Sequence, residues 1–236
     1  MNPKQPFKWR HFQSEIILLC VRWYLRYPLS YRQIEEMMQE QGVEVDHTTI
    51  YRWVQNYSPE IEKRARGYLK PTNDSWRVDE TYIKVKGEWK YLYRAVDSFG
   101  NTIDFMLSAK RDHKAAVRFF KKALKSTHTQ MPRVITVDKN AAYPLVLNEL
   151  KIHEKLDKTT KLKQVKYLNN ILEQDHRFIK KLVKPTLGFK SFHTARITLI
   201  GYEIMNMIRK GQVQKVEKGD VVGEVKFIAD IFGVVA

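Results

Sequence analysis

Three acids in this chain, Asp79, Asp138 and Glu173, have local contexts that suit phosphoryl chemistry. Asp79 lies in the alternating stretch WRVDETYIKV, where a strand would point it to the same face as Thr81, Ile83 and Val85. A carboxylate among such neighbours is partly buried, which is costly unless it is paired or bound to a metal. Asp138 ends the short apolar run VITV, the position where open α/β sheets place their sites. Glu173 sits in YLNNILEQDHRFIKK, which reads as a helix over residues 167–181. At 100° per residue His176, Arg177 and Lys180 lie about 60°, 40° and 20° from it, while Ile171, Phe178, Ile179 and Leu182 gather on the far side for burial. Three oxygen donors with no competing His or Cys suit a hard cation, Mg²⁺ or Mn²⁺. Two such ions would support attack on phosphorus, one activating water or a 3′-hydroxyl and the other stabilising the departing oxygen.

Two nearby acids fit less well. Asp175 falls about 200° around the helix from Glu173, among the apolar positions. Glu80 alternates to the opposite face of its strand and reads as structural or as an ion-pair partner. His176, Arg177 and Lys180 read as contacts to substrate phosphates or to a strand being cut rather than as ligands, and Arg177 could instead pair with Glu173 at i to i+4. A lone carboxylate among cations is also what a surface salt bridge looks like, and three acids among 26 are weak evidence by spacing alone.

The elements that must position these acids follow from pattern and punctuation. Residues 76–85 and 89–96 form a hairpin through Lys86-Gly87-Glu88, and 101–107 supply a third strand. A helix over 112–125 then crosses over to the strand 134–137, laying it parallel to an earlier strand, with the first as the expected neighbour. A helix over 141–150, a weak strand near 162–165 and a helix over 191–210 complete an α/β domain at 76–210. Upstream, residues 12–26 are helical. Ser30 and Gln33 make a capping box for a second helix that stops at Gly42. Asp46 caps a third helix, HTTIYRWVQNY, ending before Pro59. This layout over residues 1–59 is that of a helix-turn-helix, with Thr48, Thr49, Arg52 and Gln55 facing away from the apolar stripe, where they could read base edges. A small helical bundle with a polar outer face would share the pattern. Residues 60–75 read as a basic linker, and 211–236 as a tail with little independent signal.

Composition narrows the partners. The 236 residues carry 42 Lys and Arg against 26 acids, a net charge of +16 that favours a polyanion, nucleic acid first. The basic residues are dispersed, which argues against a membrane-surface role. Cys20 is the only cysteine, so an intrachain disulfide and a zinc finger are both excluded. The expectation is a cytoplasmic, nucleoid-associated protein without a signal peptide or transmembrane span.

The motifs DET at 79–81, TVDKN at 136–140 and YLNNILEQDHRFIKK at 167–181 resemble those of the acid-triad (DDE) transposases of bacterial insertion sequences. More narrowly, they are similar to the small single-chain family that moves by cointegrate formation. The 34 residues between Asp138 and Glu173, and the basic Lys180 seven positions beyond the Glu, match that family's pattern. The likeness runs from SYRQIEEMM through SFHTARITL, nearly the whole chain. The resemblance implies a ribonuclease H-like core similar to that of retroviral integrases. It also implies Mg²⁺ dependence, binding to terminal inverted repeats, 3′-end cleavage and strand transfer into target DNA. Asp79, Asp138 and Glu173 map onto the three metal-binding acids. Joining two DNA ends calls for a homodimer or a larger synaptic complex. A non-catalytic helix-turn-helix regulator and a free nuclease of the same fold are the competing expectations.

Overall fold

The computed structural model describes residues 6–7, 11–165, 170–186 and 188–234, with the side chains of 170–175 and 186 outside the description. Contacts divide the chain into two units, one made of Met1–Leu69 with Lys181–Ala236, the other of Lys70–Lys180. Among the described residues no helix is long and apolar enough to cross a membrane.

The first unit is helical. It contains α1 (Ser14–Arg26), α2 (Tyr31–Glu40) and α3 (His47–Ala65). The capping signals act as read: Ser30 Oγ accepts the Gln33 N–H while Gln33 Oε1 accepts the Ser30 N–H, and Asp46 Oδ1 accepts the Thr48 N–H. Pro59, expected to end α3, lies inside it. Its missing N–H and its ring cost about 3 kcal/mol in a helix interior. The next turn offsets this by burying Ile61 and Ala65 and by pairing Glu60 with Arg64 at 2.8 Å and Glu62 with Arg66. The stretch 60–65 is therefore helix rather than linker.

Two further helices complete this unit, α7 (Phe192–Arg209) and α8 (Val221–Phe232), separated in sequence from the first three by the whole second unit. The sequence-based boundary at 210 had put α7 with the sheet; it packs instead on α1 and α3. Gly201 makes the close approach possible, because a Cβ there would lie 2.5 Å from Leu25 Cδ2 and 2.6 Å from Ser58 Oγ. The tail read as uninformative forms α8, capped by Asp220 and stopped by Gly233 at φ 67°. Its buried Glu224 pairs with Arg26 at 3.0 Å.

The second unit is a five-stranded sheet in the order β3-β2-β1-β4-β5, from β1 (Ser75–Val85), β2 (Glu88–Asp97), β3 (Thr102–Ser108), β4 (Val134–Val137) and β5 (Lys161–Gln164). β1, β2 and β3 pair antiparallel; β4 is parallel to both β1 and β5. Helices α4 (His113–Leu124) and α5 (Ala142–Ile152) cover one face, and α6 (Asn170–Val183) follows β5. The result is a mixed sheet flanked by helices, the α/β arrangement expected from the sequence. Trp76, Val78, Tyr93 and Ala95 meet Phe119 and Phe120 of α4 and Tyr143 and Val146 of α5 in one core. Burying one Phe contributes roughly 1.5–3 kcal/mol, against about 1 kcal/mol net for a ladder hydrogen bond. Packing on α4 and α5 thus holds the short β4 in place more than its few pairings do.

Candidate active site

The register of the sheet brings two of the three acids together. Arg77 pairs with Thr136 in the parallel β1–β4 ladder, so two residues further on Asp79 and Asp138 stand level. β4 has ended at Val137, while β1 runs on to Val85 without a partner on that side. The sheet opens there, and both carboxylates reach the opening.

Each is oriented locally. Asp138 Oδ1 accepts the Asn140 N–H at 3.0 Å, and Asn140 Oδ1 accepts the N–H of Ala142, the first residue of α5, at 3.0 Å. This turn is what the TVDKN motif encodes: one aspartate oxygen is committed to the backbone, and Oδ2 is left to face the site. Asp79 Oδ1 accepts the Glu80 N–H at 2.8 Å, and its Oδ2 lies 3.3 Å from His176 Nε2. His176 was expected on the DNA-facing side of its helix. It is instead buried at 7% exposure against Asp79, because it shares a helix face with Ile179, which is fully buried. Arg177 and Lys180 are exposed. Glu173 lies in α6 one turn before His176; its side chain, like that of Asp175, is outside the described residues.

Glu80 enters the site from the other face of β1. Carboxylate oxygens of Asp79, Glu80 and Asp138 all lie within 4.8 Å of one another. The Glu80 side chain is 4% exposed and meets Arg111, whose Nη2 also donates to Asp138 Oδ2 at 3.1 Å. Burial raises the Glu80 pKa above the ordinary carboxylate range, opposed by Tyr143 and by the Arg111 charge. The buried Tyr143 hydroxyl sits beside Glu80 without a well-formed hydrogen bond of its own. Glu80 is thus the ion-pair partner the sequence suggested and also a member of the cluster, which alternation along a single strand did not show. Arg111 and Tyr143 carried no local signal: Arg111 precedes the Asp112 cap of α4, and Tyr143 reads as core. The donor set fits a hard divalent cation. The three converging groups are all carboxylates, with His176 Nε2 against Asp79 beside them, and the Arg111 guanidinium already stands where positive charge is needed.

In the helical unit, Thr48 and Arg52 are exposed and Thr49 is half-buried. Gln55 is not outward: its Nε2 donates to Thr198 Oγ1 of α7 at 2.9 Å. The exposed strip of α3 is instead Thr48, Tyr51, Arg52 and Asn56, the last unremarked in the sequence. The wheel alone could not show that a helix from far along the chain covers Gln55.

Comparison with known proteins agrees with this geometry. The DDE domain family matches residues 73–212. The transposase for the insertion sequence-like element IS431mec of Staphylococcus aureus (strain Mu50 / ATCC 700699) is 40% identical over 209 residues, 86% of this chain and 88% of the relative. The chain belongs to the DDE transposases of bacterial insertion sequences. A second staphylococcal member, the transposase for IS257 in transposon Tn4003, is equally similar at 40% over 209 residues, covering 86% of this chain and 88% of that one. Among solved structures, the HTLV-2 integrase catalytic core domain in complex with magnesium (dimeric form) is 17% identical. That match covers 66% of this transposase and 98% of the integrase chain at a TM-score of 0.45.

Proposed function

We propose that this transposase binds the terminal inverted repeats of its insertion sequence, cleaves them at the 3′ ends and transfers the strands into target DNA in a metal-dependent reaction. The observation that carries the reading is the level placement of Asp79 and Asp138 at the point where β4 stops, in a chain of this family. Asp79, Asp138 and Glu173 would hold two Mg²⁺ ions, with Mn²⁺ able to substitute. When bound, these would lower the pKa of the attacking hydroxyl and neutralise charge developing on the leaving oxygen.

The chain's own residues prepare that site. Asn140 and the turn it anchors aim Asp138 Oδ2 into the opening, and His176 holds Asp79 from the α6 side. Arg111 offsets the mutual repulsion of Glu80 and Asp138. Arg177 and Lys180, exposed on α6, would grip DNA phosphates near the acids. Residues 1–59 would form the repeat-reading region, with Thr48, Thr49 and Arg52 of α3 addressing bases. Gln55, tied to Thr198, would anchor the helix instead. The substrate is double-stranded DNA in the form of repeat ends and target, and joining two ends requires a homodimer or larger synaptic complex.

The test uses purified protein, Mg²⁺ and labelled duplex carrying the element's ends, scored for joined products. Joining by wild type, lost in Asp138→Asn while end binding persists, supports the proposal. Binding with neither cutting nor joining under Mg²⁺ or Mn²⁺ would reduce the protein to a regulator, and cutting without joining would make it a nuclease. In the same assay Arg52→Ala should weaken repeat binding and relax its sequence preference. Unchanged binding by that variant would remove α3 from the reading.

A further inference from the structure

The β1–β2 hairpin projects beyond the acid site and carries an aromatic surface with no assigned partner. Its two-residue turn, Lys86-Gly87, has φ of 51° and 79° at the two positions, which closes the ribbon tightly between the paired Val85 and Glu88. Tyr82 lies opposite Tyr91 and Lys84 opposite Trp89, so all four side chains share one face of the ribbon. Tyr82 is 48% exposed and Trp89 61% exposed. Their ring centroids are 6.4 Å apart and nearly perpendicular at 83°, with Tyr91 tilted 5.4 Å from Tyr82. Lys84 Nζ stands 5.8 Å from the centre of the Trp89 ring. Glu80 pairs with Tyr93 on this same face, so the face reaches the acid cluster on its Glu80 side, two residues or about 7 Å of strand away, while Asp79 enters the cluster from the opposite face.

An aromatic face interleaved with ammonium groups matches one chemistry closely. Rings stack on nucleobases, while Lys84 and the exposed Lys86 meet the phosphates between them. Complementarity to a polyanion is reinforced by the chain's net charge of +16. Bases inside an intact duplex are already stacked and offer these rings no free face, so the occupant must be unpaired. We propose that Tyr82 and Trp89, with Lys84, form a stacking platform for one or more unpaired nucleotides of the DNA strand entering the Asp79–Asp138 site. The platform rests on the DNA-joining reading above and specifies its substrate: a repeat end frayed at the cleavage point rather than blunt duplex.

The experiment measures binding of full-length protein by fluorescence anisotropy to two probes. One is a blunt duplex carrying the element's end; the other is the same duplex with a short unpaired tail. Wild type should prefer the tailed probe. The Tyr82→Ala/Trp89→Ala double variant should lose about tenfold in affinity for it while changing blunt-duplex binding by less than about twofold. Trp89→Phe, which keeps a ring, should retain most of the preference. Circular dichroism melting separates loss of binding from loss of fold. Equal loss on both probes, or no loss on the tailed one, overturns the platform. So does a change in sedimentation state with binding untouched, which would make this face a contact with a second copy of the chain. A tail preference that persists in a protein unable to join ends would sink the transposition reading and leave the platform standing.

Discussion

Two clusters of ionisable side chains converge among the described residues, and they differ in what occupies their polar atoms. Glu35, Asp46 and His47 gather at the start of α3. Asp46 is that helix's cap, accepting the Thr48 N–H at 2.8 Å, and His47 Nδ1 lies 3.1 Å from Glu35 Oε2. The three side chains are a third to a half exposed, and their contacts are with one another and with the backbone at the start of α3. Asp79, Glu80 and Asp138 meet where two parallel strands part, with Glu80 nearly sealed from solvent. Their charge is offset by one guanidinium that has to reach from outside the motif. An acid cluster that serves as a helix cap stabilises the fold. One assembled at a break in a sheet costs stability, and its presence is the stronger sign of chemistry.

Matched substitutions separate the two clusters most decisively. Asp138→Asn should lower single-turnover joining of labelled ends by ~10³-fold, the scale of several kcal/mol of lost transition-state stabilisation. Asp46→Asn, which still caps, should leave joining unchanged. Comparable losses from both would erase the distinction.

Arg111→Ala comes next. It strands the buried Glu80 carboxylate, at a cost of about 1–3 kcal/mol, which in a chain of this size lowers the melting temperature by roughly 3–10 °C. Calorimetry in chelator should show that drop, and added Mg²⁺ should restore more stability to the variant than it adds to wild type. A melting temperature unchanged in chelator would deny Arg111 its neutralising role.

Glu80→Gln sharpens the assignment within the cluster. The amide keeps the shape and removes one charge, so joining should fall by about tenfold, well short of Asp138→Asn. A loss as large as that of Asp138→Asn would make Glu80 a metal holder in its own right.

The smallest effect concerns pH. Hydrogen bonds from the Thr48 hydroxyl and backbone N–H hold the Asp46 carboxyl below its ordinary value of 3.8. A carboxylate whose folded pKa is depressed adds stability above its unfolded value and loses it as pH falls through the folded one. Acid titration followed by far-ultraviolet circular dichroism should therefore show a component below pH 3.8 in wild type that is missing from Asp46→Asn. Superimposable acid limbs would mean that the cap contributes nothing through its charge.

What the sequence determined by itself was local. Capping chemistry at Ser30 and Asp46 acts between residues two or three apart, alternation identified β1, the turn after it identified β2, and a short apolar run identified β4, so these features were legible without a fold. The spacing of Asp79 and Asp138 relative to their strands was legible too, since a crossover helix forces β4 parallel to an earlier strand. Tertiary structure decided the rest. Burial of Ile61 and Ala65 overrode Pro59; a glycine contact let α7 lie against α1 and α3, where it claims Gln55; and α8 ordered a tail of little apparent pattern. It also decided that Glu80 of β1 and Arg111, just beyond β3, would meet Asp138. Hydrogen bonds within a turn are written in neighbouring residues. The pairing of charges brought together by a sheet depends on register and on where each strand stops, and no short window of sequence contains both.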